Sequence, residues 1–284
     1  MNTTLDVLGQ RPLPVDEPAL LDLDRAEAAW PGRRFGPFSL QVRGAERIAI
    51  VGPSGAGKST LLKLMSGERP AAAGRVLLDG QPLARHRAAA LSRRRAVLPQ
   101  AHGVAFGLPV ALVVALGRIA LAADPLGPGL VPQALARAHA EHLLERRFDT
   151  LSGGEMARVQ LARVMAQLWD AAPGLLLVDE PLAALDPGLQ LALLDALVDY
   201  CSERGHALVA IVHDLNQALG RFDRLWLVGD GGLKADLPAD ASAVPALERL
   251  FGIGLRQIDA GPGRVAVLPV RARVDERMAR RSAA

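Results

Sequence analysis

The run Gly52-Pro53-Ser54-Gly55-Ala56-Gly57-Lys58-Ser59-Thr60 constrains this chain more than any other stretch. It follows the apolar run Ile48–Val51 and precedes Leu61-Leu62-Lys63-Leu64-Met65, so the spacing GxxxxGK[ST] falls between an expected strand and an expected helix. Glycines at 52, 55 and 57 let the backbone curl until successive N–H groups point inward, and the helix that follows turns the positive end of its dipole to the same point. Such a nest binds polyphosphate. Lys58 is placed to reach the outer phosphates as a point charge, and the Ser59 hydroxyl to take one position on a Mg2+ ion. A chance match is the bland alternative in a chain with 28 glycines. Lysine scarcity opposes it, because Lys58, Lys63 and Lys234 are the only lysines among 33 basic residues.

At 284 residues with 50% hydrophobic side chains, the chain can bury a full core, as one large α/β domain with appendages or as two small ones. One cysteine, Cys201, excludes an intramolecular disulfide framework and suits a reducing compartment; it reads as a helix residue rather than a nucleophile. Met1–Pro14 has no secretory pattern, and the longest run free of charged residues and histidine, Gly103–Gly117, contains Gly107 and Pro109 and falls short of the about 20 residues that span a bilayer. A cytoplasmic location is expected. The net charge of +3 is modest and the arginines are scattered, so nucleic acid is not an expected partner. The basic tail Arg271–Arg281 also holds Asp275 and Glu276 and reads as solvated surface.

In chain order, residues 1–18 are polar and proline-punctuated and carry no motif. Strands are expected from Leu20 onward, including Phe38–Val42 and Arg47–Val51. Trp30, flanked by Pro31-Gly32-Arg33-Arg34, fits either a core residue or an exposed ring at a turn. Gly74–Leu83 has two apolar runs around Asp79-Gly80 and predicts an antiparallel flap. Ala96–Pro99 is a short strand ending at Gln100, a polar residue where such a sheet faces its ligand crevice. Residues 101–150 turn to alanine, leucine and arginine, and predict a helical insertion with Val131–Arg147 at helical spacing and Asp124–Gly129 as a loop. Leu151-Ser152-Gly153-Gly154-Glu155 then opens a long helix with Leu161, Val164, Met165 and Leu168 on one face. Its start fits ordinary capping by Ser152 or a second anion site.

Leu175–Val178 is a continuous apolar run, as in a buried parallel strand, and ends in Asp179-Glu180. Two carboxylates at a strand end are costly without a cation or substrate. Asp179 is expected to hold Mg2+ through water and Glu180 to orient an attacking water. A helix follows from about Gly188 to Glu203. The strand Ala207–Val212 ends at His213, which the crevice rule sets beside Gly52 and Asp179 in reach of a terminal phosphate. Arg224–Leu233 reads as strand, turn, strand, Pro245–Phe251 as a short helix, and Val265–Val270 as the last strand.

The order of these pieces resembles the nucleotide-binding subunit of ATP-binding cassette (ABC) transporters over residues 20 to about 255. Gly52–Thr60 resembles the Walker A loop, Gln100 the Q-loop, Leu151–Glu155 the signature, Leu175–Glu180 the Walker B strand, Ala183–Asp186 the D-loop and His213 the switch histidine. The resemblance implies an α/β fold of the P-loop NTPase type, with a mostly parallel sheet, an antiparallel β flap and an inserted helical subdomain. It implies a domain over 19–256 with its helical part at about 101–168, and a strand and tail over 257–284. It further implies ATP and Mg2+ as ligands, with Trp30 stacking on adenine. Gly52, Pro53, Ser54, Gly55, Ala56, Gly57, Lys58, Ser59, Thr60 and Gln100 hold the nucleotide; Ser59, Gln100 and Asp179 hold the metal; Glu180, His213, Gln100 and Lys58 serve catalysis. Two copies then face each other head to tail, and Ser152, Gly153, Gly154, Glu155 and Asp186 of one close over the nucleotide of the other. Leu182, Met156 and Ala157 depart from the residues usual in the family.

A single cassette implies an importer subunit that lies on the cytoplasmic face of the plasma membrane, with a membrane permease dimer as partner and a substrate-binding protein reached indirectly. Leu98–Phe106 and Val113–Arg118 resemble the importers of iron-siderophores, haem and vitamin B12, and Val159–Trp169 with His213–Asn216 are most similar to the ATPases of haemin import. Other readings are a non-transport ABC ATPase acting on ribosomes or DNA, which normally needs two cassettes or a long coiled coil, and a nucleotide kinase, which has no use for a signature placed in trans.

Overall fold

The computed structural model describes residues 18–99, 107–121, 124, 126–171, 173–179, 186–261 and 264–270. Gln100, Glu180 and Ala183 lie outside them. Strands β1 (Leu21–Trp30) and β2 (Arg33–Val42) alternate buried and open positions and pair antiparallel, with Leu21 opposite Val42 and Trp30 opposite Arg33. β3 (Arg47–Val51) leads into the glycine loop and helix α1 (Lys58–Ser66), which Gly67 ends at φ 73°. β4 (Ala73–Leu78) turns back into β5 (Gln81–Pro82) through Asp79 and Gly80, both at positive φ, which is the hairpin that the Asp-Gly pair predicts. These strands form the antiparallel sheet β2-β1-β4-β5.

Helix α2 (Ala88–Ser92) precedes β6 (Arg95–Leu98). The helical insertion follows as α3 (Val110–Ala115), α4 (Leu130–Arg137) and α5 (Gly153–Gln167). The helix expected over 131–147 is therefore shorter. His139 takes φ 52°, the chain reverses, and a 3-10 turn at Glu141–Leu143 brings Leu143 and later Phe148 into the core that holds Leu135. One continuous helix would carry those side chains away from it.

Beyond the insertion lie β7 (Leu175–Asp179), α6 (Pro187–Arg204), β8 (Ala207–Ile211), α7 (Leu215–Arg221), β9 (Arg224–Gly229), β10 (Gly232–Pro238) and α8 (Val244–Phe251). The larger sheet runs β10-β9-β3-β8-β7-β6, parallel except at its β10 edge. Its central strands are buried on both faces, which is why they read as unbroken apolar runs. Ile48, Ile50, Leu175, Leu177, Val209, Ile211, Trp226 and Val228 pack toward the antiparallel sheet and α1. Ala49, Val51, Leu176, Val178, Leu208 and Ala210 pack toward the helices on the other side. Each valine, leucine or isoleucine among them contributes about 1.5–3 kcal/mol by leaving water. A terminal ribbon joins β11 (Gly254–Asp259) to β12 (Val265–Val270) along their whole length, so the residues on either side of 256 share one strand. No helix among the described residues is long and apolar enough to cross a membrane.

Candidate functional site

The parallel register aligns the carboxyl ends of three adjacent strands. Ile50 pairs with Ile211, and Asp179 pairs with Ile211 from the other side. Gly52, His213 and Asp179 therefore leave one edge of the sheet together, as strand order alone predicts.

The glycine loop is held there by close packing. A Cβ at Gly52 would meet the Val228 carbonyl oxygen at 2.0 Å, so this position needs glycine because β9 passes against it. Gly57 has φ 103°, and a Cβ there would lie 2.5 Å from the Phe35 ring. It precedes α1 with no side-chain cap, which leaves the helix start to its backbone N–H groups. Lys58 is buried, and its ammonium donates to the Gly52 and Pro53 carbonyls at 2.9 and 3.0 Å. Ser54 and Gly55 are exposed at the tip, while Pro53, Ser59 and Thr60 are partly so and Ala56 is buried.

Across the crevice the Ser59 hydroxyl donates to Asp179 Oδ1 at 3.1 Å. A hydroxyl and a carboxylate so close present hard oxygen ligands on one side, the donor set that Mg2+ takes, and the residues present fit that ion. No group of three or more His, Cys, Asp or Glu side chains suited to a metal occurs among the described residues. His213 is exposed just beyond β8, and Asp214 caps α7 by accepting from the Asn216 and Gln217 N–H groups.

The structure brings Gly52–Thr60, Asp179 and His213 to one edge. The signature stretch bonds elsewhere. Ser152 caps α5 by accepting from Glu155 N–H, and Glu155 in return accepts from Ser152 N–H at 2.7 Å. Arg146 donates to Glu155 at 2.9 Å. The Ser152 backbone bond, its hydroxyl and the Arg146 charge hold the Glu155 carboxyl below the usual range. Gly153 is exposed and Gly154 half-buried behind that cap. Asp186 caps α6 through Leu189 N–H at 2.9 Å.

Two arginines that the linear pattern gave no reason to single out flank the site. Arg33 stacks on Phe35 and donates to the Gly55 carbonyl at 3.1 Å, tying the β1–β2 turn to the loop tip. Arg69, in the turn after α1, lies over the ring of Trp30. Neither contact leaves a periodic trace, because each depends on two distant turns meeting.

Taken together, the strand, glycine loop, helix and facing carboxylate define a nucleotide-binding P-loop protein. Residues 35–183 match the ABC transporter family, and the chain belongs to that family. It is 42% identical over 88% of its length to "Hemin import ATP-binding protein HmuV" of Nocardia farcinica, 88% of which is covered. The protein of the same name from Pseudomonas aeruginosa is 45% identical over 68% of this chain and 76% of its own. Among solved structures, cbiO1 of Clostridium perfringens, part of an ABC transporter complex, superposes with a TM-score of 0.69 at 24% identity, over 83% of this chain and 92% of that one.

Proposed function

We propose that this chain is the ATP-hydrolysing, energy-coupling subunit of an ABC importer that carries haemin. The observation that supports it most is the Ser59–Asp179 bond between the start of α1 and the end of β7, next to a Lys58 ammonium folded onto the loop carbonyls. In this reading Lys58 exchanges its loop carbonyls for the outer phosphates of ATP, and the amides of Gly55–Thr60 hold the rest. Ser59 and Asp179 hold Mg2+, which when bound neutralises charge on the phosphates. Trp30 receives the adenine, and His213 meets the terminal phosphate. Gln100 and Glu180 lie outside the described residues; their parts, a metal ligand and the orienter of the attacking water, rest on motif resemblance.

The site is half of a pair. A second copy supplies Ser152–Glu155 and Asp186, and the two close head to tail over ATP. The helical insertion offers exposed Leu112, Leu116, Ile119 and Leu126 as the apolar surface against a membrane permease, which sets the chain peripherally at the cytoplasmic face of the membrane. Haemin as cargo is supported by the names of its relatives, since an ATPase of this kind does not touch what is carried.

Purified protein should release phosphate from ATP only with Mg2+, and Lys58→Ala should abolish this. Glu180→Gln should elute as a dimer at saturating ATP, and a monomer there would count against the closed pair. Loss of the chain should abolish growth on haemin as iron source while leaving growth on ferric siderophores; the reverse pattern would reassign the cargo.

A further inference from the structure

Trp30 is 42% exposed, and the Arg69 guanidinium carbon lies 3.7 Å from its ring centroid. That guanidinium is not a loose cover. Its Nη2 donates to the carbonyl of Ala29, the residue before Trp30, and the Arg69 backbone N–H donates to the Lys63 carbonyl of α1 at 3.0 Å. One anchor therefore lies on the strand that bears the ring, and the other on the helix that begins with Lys58. A planar cation flat on an indole takes one face and leaves the other to a second flat group.

We propose that Arg69 is a positioning residue for the nucleotide base. It closes one face of Trp30, fixes the indole in one orientation relative to the phosphate loop, and makes it a one-sided platform for adenine. The inference rests on the reading above that adenine stacks on Trp30. Without Arg69 the ring, at the end of a strand beside a two-residue turn, keeps its rotamer freedom and must be ordered when the base arrives. Phosphate binding does not depend on that ordering, since Lys58 and the loop amides reach the phosphates without the ring.

The test is calorimetric titration of the full-length protein with Mg-ATP and, separately, with inorganic tripolyphosphate, which offers phosphates and no base. Arg69→Ala should weaken ATP binding about threefold to tenfold and leave tripolyphosphate affinity within about twofold. Arg69→Lys should lie between. In a Trp30→Ala background, Arg69→Ala should have no further effect on ATP. Tighter ATP binding by Arg69→Ala would mean that the guanidinium obstructs the ring and would overturn the proposal. Equal losses for ATP and tripolyphosphate, or a loss that adds fully to that of Trp30→Ala, would do the same. If Trp30→Ala weakens ATP and Arg69→Ala does not, this inference alone fails. If Trp30→Ala leaves ATP affinity unchanged, the stacking reading fails with it.

Discussion

His206 sits fully buried between α6 and β8, where its Nδ1 accepts from the Gly174 N–H at 3.0 Å. Gly174 precedes β7, so this bond fastens the starts of the two strands whose far ends carry Asp179 and His213. Burial, with the nearby Arg204 charge, pushes the imidazole down to about 4. The unfolded chain takes up a proton near its ordinary value of 6.5 while the folded protein refuses it, so stability is full above that value and drains as pH falls toward 4. Between about pH 7.5 and pH 5 the loss from this one group is about 2 kcal/mol, with roughly another 1 kcal/mol by pH 4. His206→Asn keeps an acceptor for Gly174 and removes the titration. Urea unfolding followed by circular dichroism at a series of pH values should give wild type a steeper fall than the variant by that amount. Parallel pH profiles for the two proteins would refute the assignment.

Gly52→Ala should lose ATP binding and cost about 1–3 kcal/mol, because its Cβ lands on the Val228 carbonyl; a thermal melt with and without ATP reads both. Asp179→Asn should lower Mg2+-dependent phosphate release by about 100-fold while the melting temperature stays near that of wild type, and unchanged turnover would remove Asp179 from the metal site. Arg118 is buried and joins Asp124, Asp170 and the Ala166 carbonyl in the helical insertion. Burial alone would lower its pKa, but hydrogen bonds to the two carboxylates outweigh that and hold it above the ordinary value. Arg118→Ala should cost about 3 kcal/mol in denaturant unfolding by leaving the carboxylates facing each other, and adding Asp170→Asn should recover part of it.

The features legible in the sequence are those whose cause is local. Leu175–Val178 is an unbroken apolar run because its strand is covered on both faces, and Asp179 stands out because a carboxylate ends such a run. The Asp79-Gly80 turn and the Ser152 cap likewise follow from residue type at a fixed offset. β11 was not legible, since Gly254–Asp259 has one buried residue and no alternation to mark it as a strand; β12 makes it one by pairing. The break of the insertion helix at His139 is equally silent, for a stretch rich in alanine and leucine favours helix throughout and only the packing of Leu143 and Phe148 stops it. Gly52 teaches a subtler point. Its place in the motif suggested backbone freedom, whereas the geometry makes it a matter of room beside Val228.

The capped start of α5 bears on how two copies could share one nucleotide. A hydroxyl has two acceptor lone pairs and one proton. Ser152 accepts from Glu155 N–H and its hydroxyl also helps to hold the Glu155 carboxyl down, so within its own chain the cap fixes the direction of the hydroxyl. The Glu155 carboxylate takes Ser152 N–H and the Arg146 guanidinium, which spends its charge within its own chain rather than against an approaching phosphate. The exposed Gly153 presents no side chain to keep a phosphate from the helix start. The motif that fitted either capping or anion binding has room for both: the structure shows the capping that organises the helix start, and in the proposed pairing the anion comes on another copy's phosphate loop.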